Sequence, residues 1–91
     1  MHLCAADIQS LTLLIQRILD AELLLEEEGA ALLAQTGAAG RSLEAGDGPG
    51  ARRHLERLAQ LTEALVATDA LALADGQAVI EPANRLLARD A

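Results

Sequence analysis

The stretch Leu43-Glu44-Ala45-Gly46-Asp47-Gly48-Pro49-Gly50-Ala51-Arg52-Arg53-His54-Leu55-Glu56-Arg57-Leu58 decides the fold: in it one apolar periodic segment stops, the chain turns, and a second segment begins. Gly46, Gly48 and Gly50 reach positive φ or turn tightly without steric cost. Pro49 holds φ near the helical value and donates no N–H, which suits the first position of a helix. Helices joined this closely pack as antiparallel neighbours, so the segments around Leu43 and Leu55 are expected to face each other.

Beyond the turn, Leu55, Leu58, Thr62 and Leu65 fall on one face with Leu61 beside them, predicting a helix over 49–66. Before it, Leu25, Gly29, Leu32, Ala39 and Leu43 recur roughly by heptads with Leu33 alongside, predicting a helix over 22–45. Gly29, Gly37 and Gly40 inside that segment each cost about 1 kcal/mol against alanine, a cost that close approach of a neighbouring helix has to offset. A further helix is predicted over 7–20, with Asp7 as its cap and Ile8, Leu11, Leu14, Ile15, Ile18 and Leu19 spaced by three and four. Leu13 widens this stripe, so more than one neighbour is expected on it. Between Asp20 and Glu22 the chain either continues as helix or breaks at a one- or two-residue joint.

The last third admits two readings. Asp75-Gly76 is a hairpin signal that would make 71–80 two short strands. A two-stranded ribbon is marginal by itself, and Gly76, Val79, Ile80, Ala83, Leu86 and Leu87 keep helical spacing, so a helix over 75–89 kinked at Pro82 is the preferred expectation. Leu71 and Leu73 are then expected to tuck in from an irregular connection.

Together these segments predict an all-α fold, a small three- to four-helix bundle with a central antiparallel helical hairpin, in a single domain spanning 1–91. Ninety-one residues hold one core. That core is aliphatic, because the chain has no Phe, Tyr or Trp. Fourteen acids against seven arginines and no lysine give a formal charge of −7, which argues against nucleic acid as a partner, since phosphate binding requires a basic surface. Cys4 is the only cysteine, so no disulfide forms within the chain. The start Met1-His2-Leu3-Cys4-Ala5-Ala6-Asp7 lacks the basic region of a signal peptide, and Arg17, Asp20 and Glu22 interrupt the apolar run from Leu11 to Leu25, so no membrane span is expected. By its N-terminus alone the chain reads as cytoplasmic.

Chemistry is sparse. Covalent acyl catalysis needs a nucleophile, a base and an orienting group together, and the histidines are only His2 and His54. His2 and Cys4 are too few to ligate a structural zinc. Glu26, Glu27 and Glu28 are consecutive and diverge around a helix, so they read as a solvated face and not as a metal centre. No catalytic residue, metal ligand or cofactor is therefore expected.

Three stretches, Ser42-Leu43-Glu44-Ala45-Gly46-Asp47, then Ala51-Arg52-Arg53-His54-Leu55-Glu56-Arg57-Leu58, then the segment from Ala74 through Ala78-Val79-Ile80 to Leu86-Leu87, resemble in order the FIMAH domain. That is a small helical module at the ends of bacterial extracellular or cell-associated proteins. The resemblance covers roughly 25–88. It departs where Leu58 and Ala59 stand in place of the family's aromatic and asparagine, and where Pro82 interrupts the last helix. It implies an accessory or interaction module, an extracellular origin, and no catalytic residues to carry over.

The expected function is that of a non-enzymatic protein-protein interaction or oligomerisation domain. Its partner is a second copy or another polypeptide, and its interface is formed by Leu11, Leu14, Ile15, Ile18 and Leu19. The alternatives are a small accessory subunit of an enzyme complex and a binder of a small apolar ligand held between helices.

Overall fold

Asp47 ends one helix and begins the next. Its N–H donates to the Ser42 carbonyl at 2.7 Å, its carboxylate Oδ1 accepts from the Gly50 N–H at 2.9 Å, and its own carbonyl accepts from Ala51 at 3.1 Å. One side chain thus satisfies an orphan donor at a helix start while its backbone satisfies an orphan acceptor at the preceding helix end. The computed structural model describes residues 4–90, with side chains through 88, and its helices are α1 (Ala5–Asp20), α2 (Glu26–Glu44), α3 (Gly48–Ala67) and α4 (Leu73–Asp90). No strand occurs among the described residues, so the hairpin reading of 71–80 is replaced by the first turns of α4.

Consecutive helices pack against each other and α4 returns to α1, closing a four-membered ring around one shared core. Short connections make each successive pair antiparallel. The pair α2 and α3 is the most extensively packed and α1 and α4 the least. Leu11, Ile15, Leu32, Leu55, Leu58, Leu71 and Val79 are fully buried in the centre. Two threonines join them, and their hydroxyls donate to carbonyls of their own helices, Thr36 to Leu33 at 3.0 Å and Thr62 to Leu58 at 2.7 Å, so neither is buried unsatisfied.

Three helices end in the same way. In each, the residue after the C-cap takes positive φ: Glu22 (57°), Gly46 (77°) and Asp69 (61°). The paired bonds of a Schellman motif follow each time: Glu22 to Leu19 with Leu23 to Ile18, Gly46 to Leu43 with Asp47 to Ser42, and Asp69 to Val66 with Ala70 to Leu65. The first of these corrects the expected span of 22–45, because α1 stops and residues 21–25 form a connection before α2 starts at Glu26. The Glu26-Glu27-Glu28 run is the first turn of α2, where carboxylates meet the positive end of the helix dipole and the N-cap Leu25 offers no side-chain bond.

Two smaller expectations are also corrected. Asp7 does not cap α1: the N-cap is Cys4, whose Sγ donates to the Asp7 carboxylate at 3.0 Å. Leu73 does not tuck in; as the first residue of α4 it is 61% exposed, and Leu71 alone fills the core from that side. The preferred reading of the last segment, a helix continuing across Pro82, agrees with α4, which runs through the proline and starts two residues earlier, at Leu73. The carbonyl that the proline's missing N–H leaves without a partner is that of Ala78, an exposed residue, so water can take the bond.

Close approach accounts for only some of the glycines. A Cβ on Gly29 would run into the Leu19 side chain, and one on Gly76 into Val66, whereas Gly40 has nothing within 4 Å.

Candidate functional site

The N-terminal half of α1 and the C-terminal half of α4 leave a groove between them. Asp7, Ser10, Leu11 and Leu14 form one wall, and Pro82, Arg85, Leu86 and Ala88 the other, around a groove of about 610 Å³. The α1 wall is one helical stripe at i, i+3, i+4 and i+7, and the α4 wall sits at i, i+3, i+4 and i+6, so the groove runs along the helices for about 10 Å. Leucine, proline and alanine supply its floor, with Asp7 and Arg85 as the charged groups in its lining.

The expected interface residues divide among three places. Leu11 and Leu14 line the α1–α4 groove. Ile15 and Ile18 turn into the chain's own core, at 0% and 6% exposure, and are not available to a second molecule in this fold; Leu11, at 2%, reaches the groove only as part of its floor. Leu19 lies at the far end of α1, where with Glu22, Leu23, Leu24, Leu25, Glu26 and Ala70 it lines a separate depression of about 460 Å³. Periodicity had marked the apolar stripe without distinguishing the part covered by the chain itself.

A third, polar cleft of about 490 Å³ lies between α2 and α3, lined by Gln35, Ser42, Asp47, Gly50, Arg53, His54 and Arg57. His54 is half-buried there with Nδ1 3.1 Å from Oε1 of Gln35, the geometry of an N–H donor that ties α3 to α2. Its hydrogen-bond partner is Gln35, Ser42 lines the same cleft, and Asp47 is engaged in capping. His2 lies outside the described residues. Among the described residues no group of three or more His, Cys, Asp or Glu side chains could hold a metal ion. Nor, among those residues, is any helix long and apolar enough to cross a membrane.

Sequence reasoning did not find the α4 wall of the groove, because Arg85 and Ala88 belong to no apolar stripe. Comparisons with protein-family models, with curated proteins and with solved structures gave no match.

Proposed function

We propose that this chain is a non-enzymatic helical interaction domain that receives an elongated apolar element, a helix of a second copy or of another polypeptide, in the groove between α1 and α4. The observation that carries the reading is the shape and lining of that groove, two parallel helical stripes with a leucine floor on the loosest seam of the bundle. Helix-in-groove recognition uses such a surface, with anchors at i, i+3, i+4 and i+7 inserted between two helices. The sparse chemistry supports a non-catalytic role, and the resemblance to the FIMAH domain supports an accessory module, including an accessory subunit of an enzyme complex.

A second reading, a small apolar ligand in the same groove, is favoured by its volume and leucine lining, which fall in the range of small-molecule sites. One substitution addresses both. Ala88 is an exposed groove residue near the C-terminus of α4, where a cation suits the helix dipole, so Ala88→Arg fills the groove without unfolding the chain. Light scattering at micromolar concentration, native mass spectrometry and capture of partners are compared for the wild type and this variant. An association or a bound ligand that the variant loses at unchanged melting temperature supports the proposal. Identical behaviour of the two proteins overturns it.

A further inference from the structure

The charge and the exposed leucines of this chain gather at one end of the bundle. Antiparallel packing puts the connections 21–25 and 68–72 together with the C-terminal halves of α1 and α3 and the N-terminal halves of α2 and α4. That half, residues 13–35 and 58–81, contains nine of the fourteen acids, Asp20, Glu22, Glu26, Glu27, Glu28, Glu63, Asp69, Asp75 and Glu81, and one arginine, Arg17. Arg41, Arg52, Arg53, Arg57 and Arg85 all lie in the other half. The four exposed large apolar side chains among the described residues all fall in that half, Leu13 at 50% at its inner edge and Leu25 at 71%, Leu73 at 61% and Leu23 at 48% at the acidic end. Leu23 and Leu25 border the depression floored by Leu19, Leu24 and Ala70, with Glu22 and Glu26 on its rim.

We infer that this end is a second docking surface, distinct from the α1–α4 groove, and that its occupant is a basic amphipathic segment of another polypeptide. The apolar side of such a segment covers Leu23, Leu25 and Leu73, and its lysines or arginines meet the carboxylates of the rim. The charge selects the occupant. A second copy docking through the same face would set one acidic end against another, which costs free energy on association, whereas a cationic segment is drawn in by the field of the whole end. The apolar floor supplies the contact that makes the attraction local.

The test titrates the full chain with a synthetic helical Leu/Lys amphipathic peptide and with its Leu/Glu counterpart. The expected result is saturable binding of one Leu/Lys peptide per chain and none of the Leu/Glu peptide, weakening as salt rises from about 0.05 to 0.5 M. Joint replacement Leu25→Ser and Leu73→Ser is expected to weaken binding about tenfold without lowering the melting temperature, since both side chains are already in water and serine suits the N-cap position of Leu25. Glu26→Lys weakens it as well. Glu44→Lys, an exposed acid in the other half, does not, and neither does Ala88→Arg, so failure here is separable from failure of the groove. The inference is overturned if the Leu/Lys peptide does not bind. It is also overturned if Glu44→Lys weakens binding as much as Glu26→Lys, which is unspecific charge attraction. Loss of binding in Ala88→Arg would place the peptide in the groove, and a concentration-dependent mass abolished by Arg53→Glu would make the occupant the basic end of a second copy; either result contradicts the inference.

Discussion

Nη1 of Arg52 donates to the main-chain oxygen of Leu87 at 2.7 Å, so the second turn of α3 closes the last turn of α4. The same guanidinium lies 3.5 Å from Glu56 on its own helix. The long-range bond outweighs the ion pair, since a charge-assisted bond to a main-chain oxygen ties two helices together and an exposed i, i+4 pair contributes little. Arg52→Ala is expected to lower the unfolding free energy by about 1 kcal/mol in urea denaturation, and Glu56→Gln by less than about 0.5. Equal losses in the two variants would contradict this ranking.

The three Schellman ends make a graded set. Glu22 adopts a conformation that costs an L-residue about 1–2 kcal/mol and that glycine reaches freely. Glu22→Gly should therefore stabilise the fold by about 0.5–1 kcal/mol after the added entropy of the unfolded chain is set against it. Asp69→Gly should gain less, because Asp tolerates this region better. Gly46→Ala should cost about 1 kcal/mol. Thermal melts of the three variants check the order.

The helical glycines separate open positions from packed ones. Gly40→Ala, with open space around it, should stabilise by about 1 kcal/mol through helix propensity. Gly76→Ala meets the stiff, branched side chain of Val66 and should destabilise by about 1–3 kcal/mol instead. Denaturant midpoints of opposite sign are the expected outcome.

Two neighbours on α1 should respond in opposite ways to the same change. Ile15 is fully buried, so Ile15→Asp places an unpaired carboxylate in an aliphatic core and should unfold the chain. Leu13 is half exposed, and Leu13→Asp should shift stability by less than about 0.5 kcal/mol. Far-UV circular dichroism distinguishes the two, and it shows why a charge at Ile15 cannot serve as an interface probe.

The joint at Gly46–Gly50 was legible because every signal there is local: glycines, a proline, and an aspartate within reach of the next helix start. The break at 21–25 was less so, since Glu22 adopts positive φ through tertiary context and its side chain gives no sign of it. The Glu26-Glu27-Glu28 run was the available clue, acids gathered in a first turn. Thr36 went unnoticed because a hydroxyl satisfied by its own helix can occupy a core position that an apolar count leaves blank. The stripe on α1 was read as a face, and a face it is. Periodicity does not say what covers that face, so Leu14 and Ile15 looked alike in sequence although one lines a groove and the other fills the core.

The central proposal, that the α1–α4 groove receives a helix of a second copy or of another polypeptide, is tested most directly by paired capture from the native source, with the tagged wild-type chain and Ala88→Arg as baits at equal melting temperature and the retained proteins, untagged copies of the chain included, quantified by mass spectrometry. The account predicts a polypeptide held at near-stoichiometric amount by the wild type and lost from Ala88→Arg. The same proteins retained in the same amounts by both baits would contradict it.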